Sequence, residues 1–420
     1  LNSGGTLAPA TLIGGTGISV VTNSPNNFTI SNTLVDVTVS FNTVTGQSLT
    51  YTAVSPISSI GQAGSLFPTT TFTVTKAGNT LSGTAVITGL PAGITSTQSY
   101  NNTNPGNILT ITLSGVFPST NSVGTNLVIS NLTATAVPLT VDYLVVAGGG
   151  GGGRGRAATG GSAGGGAGGY RNSYNSETSG GGSNSESTLT LDISTNYTVT
   201  VGGGGGGATG STNGANGSNS VFSNIISTGG GGGATGPADG SGGGSGGGSA
   251  GNRLAGIATA SPVQGYRGGK QSGASPGGGG GGAGAQGVDL NTGNYAAGSN
   301  GGDGLSSSIT GSATFRAGGG GGGGYSSGGG AASATSGGNG GGGNGGGGTA
   351  YAGTANTGSG GGGGNGGDSV SRNGGAGGSG IVILRYPSSY TISGLSGTTT
   401  TVGTDSVTTF TTGTGNIQFN

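Results

Sequence analysis

Between Gly148 and Gly380 the chain keeps running into near-pure glycine: 148–153, 202–207, 229–233, 277–282, 318–324, 345–348 and 361–364, with four more at 340–343. Glycine loses more backbone freedom on folding than any other residue, so a solvated glycine run stays unfolded unless something offsets that loss. The runs are bracketed by two strand-like segments, Val141-Asp142-Tyr143-Leu144-Val145-Val146 and Ile381-Val382-Ile383-Leu384-Arg385-Tyr386. A flexible linker needs no such brackets. The pattern predicts a folded glycine-rich module.

Polyproline II geometry has about three residues per turn, a rise of about 3.1 Å and no internal hydrogen bonds, so six glycines make a rod roughly 19 Å long. The N–H and C=O groups of such a rod point outward and need partners. Without Cβ atoms the rods can come close enough to bond to one another, and the runs of this one chain can supply the neighbours. The expectation is a packed bundle of polyglycine II helices whose hydrogen bonds replace a hydrophobic core. Pairing of 143–147 with 381–386 would close it, with Tyr143, Val145, Ile381, Ile383 and Tyr386 as structural residues. Asp142 and Arg385 flank that closure, where an exposed ion pair is worth only about 0–1 kcal/mol.

What the chain lacks narrows its chemistry. It holds 113 Gly in 420 residues, no Cys, Met, Trp or His, and ten basic against ten acidic residues. A balanced, sparse charge does not supply the positive field that nucleic acid requires. Neither a basic helix nor an apolar run long enough to span a bilayer is present, so membrane insertion is not expected. Disulfides are impossible, the usual imidazole and thiolate metal sites are missing, and no cofactor is implied. A weakly charged Thr/Ser/Asn-rich composition resembles that of extracellular fibrous assemblies more than that of cytosolic enzymes. Leu1 in place of Met suggests a processed chain or a fragment, and the end at Asn420 a second truncation.

The segment 1–43 alternates apolar residues at Ile18, Val20, Phe28 and Ile30 between Asn/Pro/Ser turns, after Gly14-Gly15-Thr16-Gly17. Such strands are too short to bury a face alone, and intertwining with identical chains would give them a shared core. From 44 to 140 longer strands appear, among them 70–75, 81–87, 108–113 and 127–132. The turns at Lys76-Ala77-Gly78-Asn79 and Gly89-Leu90-Pro91-Ala92-Gly93 separate them. This spacing argues for a small β-sandwich, with the second turn like those of immunoglobulin-like modules. The glycine-rich domain follows over 141–387, and a Thr-rich, β-patterned tail occupies 388–420.

Polar loops between the glycine runs carry the few large side chains: Tyr170, Arg171, Tyr174, Tyr266, Arg267, Phe315, Arg316, Tyr325 and Tyr351. Tyr, Ser, Asn and Gly loops on a rigid scaffold have the character of a binding surface. The plain alternative for each is that it covers the sides and ends of the bundle.

The run Tyr143-Leu144-Val145-Val146-Ala147 before glycines, Gly353-Thr354-Ala355-Asn356-Thr357-Gly358 ahead of another run, and Gly380 to Pro387 resemble the glycine-rich domain of bacteriophage tail fibre and receptor-binding adhesin proteins. The resemblance covers about 141–387. It implies the architecture and receptor role of a virion tail fibre, extracellular, attached to other tail proteins and binding a host surface protein or glycan through tip loops. The segment 1–43 resembles the shaft repeats of phage tail fibres, which wind into a homotrimer. No contact residue is carried over. Two alternatives stand beside it: a structural virion component of tail or capsid, and a cellular surface filament or adhesin without a specific tip site.

Catalysis is not expected. No carboxylate pair has glycosidase spacing, Asp289 and Asp303 read as solvated turn residues, and no glycine tract carries the lysine-serine/threonine ending of a phosphate loop.

Overall fold

The computed structural model divides into two compact units, Leu1–Pro138 and Leu139–Asn420. It describes residues 18–24, 27–32, 35–43, 49–53, 66–76, 79–82, 84–88, 90, 93–101, 108–116 and 127–136 of the first unit. Of the second it describes 139–157, 160–272, 276–290, 297–326, 333–346, 349–367 and 371–420. Residues 14–17, the turn residues 77 and 78, and residues 89, 91 and 92 of the second turn lie outside the described residues.

The first unit holds two sheets. In one, Ile18–Ser24, Asn27–Asn32 and Val35–Thr43 form an antiparallel meander. Val35–Thr43 then lies parallel to Leu127–Ala136, which ties the opening strands to the strands that follow them in sequence. Leu127–Ala136 also pairs with Asn79–Ser82 and Val86–Thr88. The other sheet is antiparallel, in the order Leu49–Ala53, Leu66–Lys76, Ile108–Val116, Ile94–Asn101. Leu109, Ile111 and Leu113 alternate with threonines along their strand and are buried, as a half-buried strand requires.

The second unit is built on Leu139–Val146. It pairs antiparallel with Ile381–Pro387, Asp142 opposite Arg385 and Val146 opposite Ile381. Tyr170–Asn172 and Leu189–Leu191 join its other side, and Asp405–Phe410 and Thr398–Val402 continue the sheet beyond Ile381–Pro387. A second antiparallel sheet runs Ile225–Ser227, Ser220–Phe222, Tyr197–Thr200, Thr414–Phe419, Ile392–Gly394. Thus the tail contributes strands to both sheets.

Strand periodicity divides the core. Leu139, Val141, Tyr143 and Val145 point to one side, where they meet Val199, Phe222, Ile417 and Phe419 of the second sheet together with Leu384 and Tyr386. Tyr386 meets Phe419 edge-on, with ring centroids 5.2 Å apart. Leu144 and Val146 point the other way and pack with Ile381, Ile383, Val407, Tyr170, Ile309 and small alanines. Both faces of Leu139–Val146 are therefore covered, which is why its apolar run is nearly continuous.

These observations correct the fold class expected from the sequence. The regular elements among the described residues are β-strands and two single-turn 3-10 segments, Tyr174–Ser176 and Gly180–Gly182. A packed bundle of polyglycine II helices is not present: the glycine runs carry no assigned helix. The apolar bracketing segments do pair with each other, but as the middle of a six-stranded sheet and not as a closure of two strands. The physical reason is that a hydrophobic core does exist. Sheet side chains build it, so backbone hydrogen bonding among glycines adds to that core and does not replace it.

Candidate functional site

The glycine segments lie outside the strands and bond to one another. The run 148–153 shows the pattern. Its successive N–H groups donate to Ser218, Gly378, Gly166, Ala215, Gly375 and Ala163, at 2.8 to 3.0 Å. Its successive C=O groups accept from Gly230, Gly205, Gly361, Gly233, Ala208 and Gly364. Each direction recurs every third residue, so one segment is surrounded by six others. A Cβ on any of these six glycines would fall within 2.2 Å of a neighbouring carbonyl oxygen. Glycine is required there by close approach of backbones rather than by an unusual φ.

At the margins, side-chain amides and carboxylates take over as acceptors. Asn213, Asn216 and Asn219 accept the N–H groups of Thr235, Gly232 and Gly229 through their Oδ1 atoms, at 3.0, 2.9 and 2.9 Å. Asn300 and Asp303 do the same for Ser336 and Asn339, and Asn344 and Asn365 for Gly337 and Gly324. The asparagines were not singled out from the sequence, although the spacing of three at 213, 216 and 219 was a readable signal. Asp303, read there as a solvated turn residue, is exposed and also caps the Asn339 N–H.

One margin lacks such caps. Along 202–207, no N–H of Gly203, Gly204, Gly206 or Gly207 has a protein acceptor among the described residues. Added Cβ atoms at Gly203 and Gly206 would meet nothing within 4 Å. This is a side-chain-free edge with unpaired backbone donors.

Several charged residues gather around Tyr170–Asn172, the edge strand of the six-stranded sheet. The Arg171 guanidinium pairs with Glu186, its Nε lying 3.0 Å from both carboxylate oxygens. The same carboxylate accepts from Tyr143 Oη at 3.0 Å and Ser179 Oγ at 3.2 Å. Glu177 accepts from the N–H and Oγ of Ser308, at 2.8 and 2.6 Å, and from Asn172 Nδ2 at 3.0 Å. Burial alone would push its carboxyl up, but these bonds and one from Ser307 outweigh it and hold Glu177 below the ordinary glutamate value. Burial raises Asp142, against the hydrogen bond from Ser173, and Tyr143, which the neighbouring Glu186 charge raises further. Arg385 bonds Asp405 at 2.8 Å, not its strand partner Asp142, and lies over the Tyr174 ring at 4.8 Å.

The nine loop candidates part company in this structure. Tyr170 and Arg316 are buried and cannot present themselves at a surface. This corrects their reading as exposed loop residues; the strands Tyr170–Asn172 and Thr314–Arg316 turn them inward. Arg171 and Tyr174 are half-buried in the charged cluster. Arg267 is engaged twice by Asp289, each contact 2.8 Å, so Asp289 is a paired residue and not simply a solvated turn. That bonding is the first cause of the rise in Arg267 and the fall in Asp289. Tyr266 and Tyr325 are half-buried. Phe315 and Tyr351 are open, at 52% and 65% exposure, as are Leu254 and Ile257. The five structural candidates Tyr143, Val145, Ile381, Ile383 and Tyr386 are all buried in the two core clusters.

Among the described residues no cluster of acidic side chains has the makings of a metal site, and no helix is long and apolar enough to cross a membrane. No curated protein matches the sequence. The family described as glycine-rich domain matches residues 120–387, well over half of the chain. With its glycine segments, their hydrogen bonds and their close backbone approach, the chain belongs to the glycine-rich domain family.

Proposed function

We propose that this protein is a non-enzymatic structural component of an extracellular assembly, a tail or capsid part of a virion or a surface filament. The observation that carries the reading is the run 148–153, whose N–H and C=O groups are all engaged by other segments of the chain. Such a body is held by many directional bonds of about 0.5–1.5 kcal/mol net each. It suits a load-bearing part better than a moving one. The bare edge at 202–207 supports association with further chains, a homotrimer or neighbouring virion proteins, and the balanced charge argues against nucleic acid. Cryo-EM of the native assembly tests this. Repeated contacts that bury 202–207 between subunits are expected; a lone copy at a distal tip, with that edge in solvent, would overturn it.

A second reading, the receptor-binding tip of a phage tail fibre, is favoured by the exposed Phe315 and Tyr351 side chains. Aromatic anchors dominate many recognition surfaces. Purified protein should then block virion adsorption to the host, and the double variant Phe315→Ala, Tyr351→Ala should lose that competition while unfolding at the same temperature. Equal competition by the variant would leave the structural reading alone.

A further inference from the structure

We propose that Asn339 is the preferred site of spontaneous deamidation in the folded protein, converting its carboxamide to a carboxylate while the other Asn-Gly pairs of the second unit are held intact. The sequence contains seven such pairs, beginning at Asn213, Asn216, Asn300, Asn339, Asn344, Asn365 and Asn373. Glycine after asparagine favours the reaction because no side chain shields the main-chain nitrogen that attacks.

The chemistry needs two freedoms. The nitrogen of the glycine must lose its proton and form a bond to the asparagine Cγ. The bond from Cγ to the amide nitrogen then breaks and ammonia leaves, carrying the proton. One water opens the resulting five-membered imide at either carbonyl and gives aspartate or isoaspartate, so one water enters for each ammonia released. No oxidant or other reactant is involved. A carboxamide fixed by hydrogen bonds, or a glycine N–H held by an acceptor, impedes the first step.

Six of the seven pairs are held. The N–H groups of Gly214, Gly217, Gly301, Gly345, Gly366 and Gly374 donate to Gly233, Gly230, Ser336, Thr335, Gly324 and Ala208, at 2.9 to 3.1 Å. In five of these pairs the asparagine Oδ1 is also taken by a backbone N–H of a neighbouring segment. Asn339 differs on both counts. Asn339 is exposed, and among the described residues its carboxamide makes no hydrogen bond and the N–H of Gly340 has no acceptor. The pair sits in a turn, with Gly340 at φ +94°, where a Cβ would come 2.8 Å from the Arg316 backbone. Glycine is thus demanded at the position that makes Asn339 reactive. The product carboxylate would stand close to Asp303, which accepts the Asn339 N–H at 2.8 Å.

The test is peptide mapping by mass spectrometry of the full chain aged in mildly alkaline buffer, folded and in denaturant. In the folded protein the Asn339 peptide is expected to gain the acid several-fold faster than the peptides of Asn213, Asn216, Asn300, Asn344 and Asn365. In denaturant the pairs should converge. Asn339→Gln, which retains an amide on an exposed site, should remove the leading product without moving the unfolding temperature. Equal rates at all pairs in the folded chain, or a lead by any held pair, would overturn the assignment.

Discussion

Asn216 Oδ1 accepts the backbone N–H of Gly232 at 2.9 Å, and the same relation recurs three residues away on either side, Asn213 with Thr235 and Asn219 with Gly229. A side-chain carbonyl here does the work of a missing backbone neighbour. Gly232 is buried, so its N–H has no water to fall back on.

Asn216→Ala should therefore destabilise the protein by about 1–3 kcal/mol, the usual cost of leaving a buried donor unsatisfied. Asn216→Asp keeps the acceptor and should lose much less. Chemical denaturation of both variants checks the order; an alanine variant as stable as the parent would show that water reaches Gly232.

Two glycines of adjacent segments should respond in opposite ways to the same methyl group. A Cβ at Gly152 would lie 1.9 Å from Gly362 O, on backbone that cannot step aside. Gly152→Ala should cost at least the 1–3 kcal/mol typical of overpacking. At Gly206 the same Cβ meets open space. Gly206→Ala should be neutral or stabilising by up to about 1 kcal/mol, through a less flexible unfolded chain. Thermal unfolding of the isolated variants separates the two, and similar losses at both sites would contradict the packing described.

Acid should weaken the attachment of Ser308 to Glu177. The folded carboxyl is held below its ordinary value of 4.5, so the unfolded chain binds the proton more readily. Its contribution to stability is complete above that value and is lost as pH falls through the folded one. Asp142, raised by burial, works in the opposite sense, so the informative quantity is the difference between parent and Glu177→Gln. Unfolding temperatures should diverge at neutral pH and converge on acidification below about 4.5. Parallel profiles would mean that Glu177 is not the group responsible.

Much of the sheet framework was legible in the residues themselves. Short apolar runs rich in Val and Ile at Val141 to Val146 and Ile381 to Tyr386, bounded by glycine, identified strands, because β-branched residues suit a strand buried on both faces and this needs no knowledge of neighbours. The absence of His and Cys excluded whole classes of site before any geometry was known. Long glycine runs likewise implied that backbone groups must find partners outside their own segment.

The sequence by itself determined that the second unit is glycine-rich, strand-bracketed and dependent on bonds between distant segments. The tertiary structure alone decided which segments meet: nothing in a run of identical residues says that Gly149 bonds Gly378 while Gly150 bonds Gly166. It also turned Tyr170 and Arg316 inward and left Tyr351 outside, though all three look alike as large residues in polar loops. The physical reason is that a glycine run has no side-chain pattern to encode a face or register. Those are set by the sheets at its ends and by the asparagines at its margins, once the chain has brought them together.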